Sequence, residues 1–229
     1  MNTRNYAKMF RYTNTVRDVA RQIDEAVRLT IQDGQNQLIE QEPAFTERLL
    51  TRIQDRIDGK IIRGIKWKAK TLTDRGRGSQ EHRFGADFLG VLNIELPDFV
   101  VAKGFLAQAK NVNKTGPRMS LKDYDAMKDQ CNKMLKVTPD SFVFLYDNTG
   151  VEIVPASSIV AATRCNPHEL YSKTITGFFI SYLECFIGDP RIHVPSLQQL
   201  ELLQMKFEVS HVFALAASEP EKKPKNNQM

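Results

Sequence analysis

The sequence predicts an α/β domain, a mixed central sheet flanked by helices, with extra helices at its N- and C-terminal ends. Three observations lead there. Two amphipathic helical stretches open the chain. Its middle then runs helix, strand, strand, strand, helix, strand, strand, and Gly, Pro and Asn punctuate the joins. With 229 residues, 41% of them hydrophobic and 26% charged, the chain has an ordinary globular composition and length enough for a real core.

Residues 14–33 place Val16, Val19, Ile23, Ala26, Val27 and Thr30 at helical spacing, with Gly34 as the stop. A second helix starts after Gln41: Pro43 suits a first turn, and Phe45, Leu49, Leu50, Ile53 and Ile57 form its stripe before Gly59. The segment IIRGIKWKAKTLT reads as one strand, with Ile65, Trp67, Ala69 and Thr71 on one side and Lys66, Lys68 and Lys70 on the other. After the loop DRGRGS, the strands RFGADFLGVLNIEL and AKGFLAQAK join through Pro97–Asp98 as a hairpin. Ser120 caps a helix whose stripe is Tyr124, Met127, Cys131 and Met134 or Leu135. SFVFLYD and GVEIVPA are strands around the turn Asn148-Thr149-Gly150. Helical stretches are expected over Thr174–Ile187 and from Ser196 to Ala217.

This divides the chain into an N-terminal helical extension (1–39), a core (40–160), a C-terminal helical region completing the domain (161–218) and a disordered tail (219–229), polar with two prolines. The N-terminal helix and the C-terminal stretches carry stripes beyond the needs of a minimal core. At least one is therefore expected to form an interface, in a homodimer or with a partner subunit.

Several classes are excluded. The longest apolar-rich run, Ile175–Ile187, is too short for a bilayer and carries Glu184. The N-terminus has no signal-like apolar stretch, so a cytoplasmic protein away from membranes is expected. Cys131, Cys165 and Cys185 are widely spaced, and His82, His168, His193 and His211 show no ligand spacing, against a disulfide framework or a zinc site. No GxxxxGK[ST] occurs, so any ATP-driven step must come from another polypeptide.

Charge is concentrated. Between Lys60 and Arg83, eight basic residues face only Asp74 and Glu81, a local net of +6 against +5 for the whole chain. Such a stretch is the footprint of a polyanion-binding face or, equally, a solvated strand face with its loop. Lys66, Lys68, Lys70, Arg75 and Arg77, with Lys114 and Arg118 further on, are the candidate phosphate contacts.

The chemistry-bearing residues sit on the hairpin. Asp87 interrupts an apolar strand, and twenty-one residues later Gln108 and Lys110 lie two apart, hence on one face of the next strand. An acid, an amide and an ammonium can converge there. Oxygen donors of this kind suit Mg²⁺ or Mn²⁺, and Lys110 could hold or deprotonate a water aimed at a phosphodiester.

At these residues the sequence resembles the PD-(D/E)xK nuclease superfamily, the restriction-endonuclease-like fold, and within it the Mrr-like members that read QxK where others read ExK. GAD…QAK, with a Glu-bearing helix before the first strand, matches that core over about residues 40–155. The resemblance implies a restriction-endonuclease-like core and a metal-dependent endonuclease of restriction or antiviral-defence type, acting on DNA or else RNA. It implies Asp87 as the metal-binding acid, Gln108 in the variable acid position, the main-chain carbonyl of Ala109 as a ligand and Lys110 as the catalytic lysine. Gln108 departs from the commoner carboxylate, so a further acid is needed. Glu42 and Glu47 on the preceding helix are favoured over Glu81. Gln130, on the helix after the hairpin, could face the site or solvent. Implied partners are a second copy of the chain, or a separate ATPase, helicase or sensor subunit. The alternative is a non-catalytic nucleic-acid-binding or scaffold subunit on a nuclease-like fold.

Overall fold

A computed structural model describes residues 12–39, 41–73, 83–112, 114, 119–163 and 166–221. In chain order the elements are α1 (Thr13–Gln35), α2 (Glu42–Ile57), β1 (Ile61–Ile62), β2 (Ile65–Thr73), β3 (Phe88–Leu96), β4 (Phe99–Asn111) and α3 (Leu121–Leu135). They continue with β5 (Ser141–Asp147), β6 (Gly150–Pro155), α4 (Ala156–Ala161), β7 (Lys173–Thr174), α5 (Ile175–Leu183), α6 (Leu200–Phe207) and β8 (His211–Ser218). Among the described residues the strands form one mixed eight-stranded sheet, in the order β1-β2-β8-β3-β4-β5-β6-β7.

Helices cover both faces. On one, α1, α2 and α5 bury Val19, Ile23, Leu49, Ile53 and Phe178 against Trp67, Phe105 and Phe213. On the other, α3, α4 and α6 bury Met127, Cys131, Ile159 and Leu203 against Leu89, Leu106 and Val212. Acids spaced along α1 tie it to the following segment: Asp18 pairs with Arg63 at 2.5 Å, Glu25 with Arg56 at 3.6 Å, and Asp33 with Arg48 and Arg52 at 2.7 and 2.6 Å. Pairs that remain within reach of water, as these do, set orientation more than stability.

Three expectations change. The single strand over 61–73 is two: Arg63 and Gly64, both left-handed (φ +48° and +80°), turn β1 back on β2 with Ile62 facing Ile65. The outer edge of β2 is then closed by side chains of the α2 end, Ala69 N–H donating to Asp58 Oδ1 at 3.0 Å and Thr71 N–H to Gln54 Oε1 at 2.6 Å. Second, the helical stretch expected up to Ala217 ends at Phe207, and His211–Ser218 is a strand between β2 and β3, antiparallel to the first and parallel to the second. HVFALAAS is buried on both faces, and such a strand shows no alternation to betray it. Third, the stripes expected to exceed the needs of the core are part of it. The stripe of α1 and the Ile175, Phe178, Phe179, Tyr182 and Leu183 of α5 pack in one core with β4 and β5. The tail beyond Glu221 lies outside the described residues.

Phe105, fully buried at the centre of β4, lies 5.0–6.2 Å from the rings of Phe142, Phe144, Phe178, Tyr182 and Phe88. Phe105→Ala is expected to cost about 3–5 kcal/mol in urea unfolding, whereas truncating the exposed Phe186 to Ala costs less than about 0.5 kcal/mol. Equal losses would contradict this core.

Candidate functional site

The site is a notch where β3 begins beside the end of β4. The two-residue turn Pro97–Asp98 pairs Leu96 with Phe99 and, counting back, Phe88 with Ala107, so Asp87 arrives at the level of Gln108. The Asp87 backbone is pinned on both sides: its N–H donates to Ala107 O at 2.8 Å, and its carbonyl accepts from His211 N–H of β8 at 3.2 Å. Its carboxylate reaches into the notch, where Oδ2 accepts from Ala109 N–H at 2.8 Å and from Gln108 Nε2 at 2.5 Å. Gln108 Nε2 also lies 3.3 Å from Ala109 O. Gln108 is 2% exposed, and its Oε1 is buried without a hydrogen-bond partner.

Gly85 explains the entry into β3. It is left-handed at φ +72°, and a Cβ there would stand 2.4 Å from Gln130 O of α3. Only glycine lets the chain pass α3 and turn down into Asp87. The Gln130 backbone therefore lies against the approach to the site, and its Oε1 is also buried without a partner.

Glu42 enters from the opposite layer, at the first turn of α2. Its Oε2 accepts from Asn111 N–H at 2.6 Å, and its Oε1 lies 4.0 Å from Lys110 Nζ. Tyr146, at the end of β5, sets this placement. The Phe45 and Tyr146 ring centroids are 4.5 Å apart, and Thr46 Oγ1 lies 3.1 Å from both Tyr146 OH and Glu42 O. Since Glu42 O can only accept, Thr46 donates to it and accepts from Tyr146. Burial, more than the nearby Asp87 and Glu42 charges, pushes the Tyr146 hydroxyl above its ordinary range. Burial likewise raises the Glu42 carboxyl, and Asp87 adds to this; Lys110 and the Asn111 N–H oppose it without reversing it.

The structure thus brings Asp87, Gln108, Ala109, Lys110 and Glu42 together. Glu47, half-buried and five residues on, is turned roughly 140° around the helix from Glu42, so the two do not share a face. Lys66 pairs with Glu221 at 2.8 Å, while Lys68 and Lys70 point to the sheet face away from α2, toward the far end of β3. Lys114 is paired with Glu152 at 2.5 Å, and its N–H donates to Asp147 Oδ2. Arg75, Arg77, Glu81, His82 and Arg118 lie outside the described residues. The chain leaves β2 at Thr73, level with His211 and Phe88, and leaves β4 at Asn111, both at the Asp87 end of the sheet. Cys131 is a core residue whose thiol burial pushes up to about 12, against the pull of Lys110. Tyr146 and Thr46 were missed. Their only trace is a polar ring closing the apolar run SFVFLYD and a threonine one turn after Glu42.

Among the described residues no group of three or more His, Cys, Asp or Glu could hold a metal ion. The donors available are carboxylate, main-chain carbonyl and amide oxygens. That set fits a weakly held hard cation, and the unpartnered Gln108 Oε1 is an acceptor such a cation would use. No protein family, curated protein or solved structure matches the chain.

A carboxylate whose folded value is raised binds its proton more tightly in the folded state, so stability is lost as pH rises through that value. Glu42→Gln, which keeps an acceptor for Asn111, should therefore stabilise the protein at pH 7–8 by up to about 1 kcal/mol, the gain fading below the ordinary glutamate value of 4.5. Thermal melts across pH check this; a variant less stable at pH 8 contradicts it.

Proposed function

We propose that the chain is a divalent-metal-dependent nuclease that hydrolyses phosphodiester bonds, DNA foremost, as an effector of restriction or antiviral-defence type on a restriction-endonuclease-like core. The observation that carries the reading is the notch: an acid, an amide with an unpartnered buried oxygen, a main-chain carbonyl and a lysine, held where β3 begins beside β4 with a second acid opposite. Asp87, Ala109 O and Gln108 Oε1 would hold Mg²⁺ or Mn²⁺, with Glu42 beside them; the ion would stabilise negative charge on the phosphate oxygens. Lys110 Nζ orients a water for attack on phosphorus, and Glu42, whose carboxyl burial raises above its ordinary value, receives the proton released. The attacking oxygen bonds to phosphorus as the ester P–O bond breaks, and the departing oxygen takes a proton from solvent.

The basic residues on the segments beyond Thr73 and Asn111, namely Arg75, Arg77 and Arg118, are the proposed backbone contacts, because both segments start at the Asp87 end. A homodimer would bring two such sites to opposite strands. An ATPase, helicase or sensor subunit is the alternative partner.

One observation favours the second reading, a non-catalytic nucleic-acid-binding or scaffold subunit: the Gln108 amide is hydrogen-bonded to Asp87, and among the described residues two carboxylates, Asp87 and Glu42, stand at the notch. Cleavage of supercoiled plasmid in Mg²⁺ or Mn²⁺ separates the two. The nuclease reading expects cleavage that drops at least about 100-fold in Asp87→Ala and in Lys110→Ala, with folding retained. Wild-type nicking by Asp87→Ala, or no cleavage by the wild type, contradicts it.

Gln108→Glu sharpens the test. It sets a second carboxylate where Nε2 now stands 2.5 Å from Asp87 Oδ2, so the metal-free protein should lose stability by repulsion while the metal midpoint falls several-fold. An unchanged midpoint shows that Gln108 is not a ligand.

A further inference from the structure

On the face of the sheet that carries α3, strands β2, β8 and β3 leave uncovered a groove of about 470 Å³, walled by the segment from Pro195 to Gln198. Its floor is low because β8 offers only Ala216 and Ser218 there. Lys68 and Lys70 of β2 stand on one side and Asn93 and Glu95 of β3 on the other. Asn93 is six residues along β3 from Asp87, roughly 20 Å at strand rise, so the groove is separate from the notch.

Asn93 is 8% exposed in the middle of an apolar strand. Its Nδ2 donates to Val194 O at 3.0 Å, but its Oδ1 is buried without a partner. An amide oxygen left so in a central strand is costly unless something donates to it. The two lysines lie on one face, two residues apart, close enough to share one phosphate. Among the described residues Lys70 makes one long bond, 3.4 Å to Leu197 O. Glu95 and Asp58 at the rim repel a continuous polyanion but accept from hydroxyl or amino groups.

We infer that this groove binds a small phosphate monoester carrying hydrogen-bond donors, a ligand of nucleoside monophosphate size, with the phosphate on Lys68 and Lys70 and a donor on Asn93 Oδ1. The volume falls within the range of small-molecule sites. Such a site on an effector would let a soluble nucleotide act on the protein away from its notch.

Calorimetric titration with adenosine monophosphate in EDTA tests the inference without relying on the nuclease reading. The wild type should bind it more tightly than inorganic phosphate or adenosine. Lys68→Gln with Lys70→Gln should weaken binding about tenfold or more, as should Asn93→Ala in a sample whose melt shows it folded. Asp87→Ala should bind as the wild type does, even if that variant and the wild type both prove inactive on DNA. No binding by the wild type, equal affinity for inorganic phosphate, or unchanged affinity in the folded variants overturns the inference. A short single-stranded DNA that binds through the two lysines where adenosine monophosphate does not would assign the phosphate to nucleic acid and overturn it as well.

Discussion

The bond from Ala109 N–H to the Asp87 carboxylate holds the site together. Where β3 parts from β4, the edge of β4 presents main-chain groups that no strand pairs. Leaving the N–H of the buried Ala109 bare would be costly, and two acids take these groups: Asp87 accepts from Ala109 N–H and Glu42 from Asn111 N–H. The two carboxylates are thus aimed by the backbone at one short stretch of one strand. Gln108 and Lys110, alternating with Ala109 along it, are carried to the same place by strand geometry alone.

Everything around the notch keeps those acids where they are. Gly85 lets the chain run against the Gln130 backbone on its way into β3, and His211 of β8 fixes Asp87 from the other side. Tyr146 holds the first turn of α2 through Phe45 and Thr46, so that Glu42 meets the end of β4 rather than solvent. The His168 ring, 3.0 Å from Val112 O and 2.8 Å from Glu152, fastens the chain just beyond Lys110. The half-buried Glu42 carboxyl and the unpartnered Gln108 amide oxygen are local costs in an otherwise well-packed fold. Costs of that kind are expected where a protein keeps a site ready for something it must bind.

The hairpin was legible because its turn is two residues long: Pro97–Asp98 sets the register, and the register brings Asp87 to Gln108. The stripes of α1, α2 and α3 were legible from spacing, and Ser120 caps α3 by accepting from Asp123 N–H at 3.1 Å. What could not be read depended on long-range packing. Nothing in the local sequence distinguishes Glu42 from Glu47; the difference is made by Tyr146, 100 residues beyond Thr46. The strand at His211–Ser218 is a short apolar run of the kind that fits helix or strand alike, and its insertion beside β3 is a tertiary choice. For the same reason the stripes of α1 and α5 read as more than a minimal core needs until the sheet they cover is in view.

The central claim is that the Asp87 notch is a cation site, and anomalous scattering from crystals grown with Mn²⁺ addresses it most directly. The account predicts one Mn²⁺ contacting both the Asp87 carboxylate and the Ala109 carbonyl, lost in crystals of Asp87→Ala. A notch without Mn²⁺ at saturating concentration, with Gln108 Nε2 still hydrogen-bonded to Asp87, would contradict it.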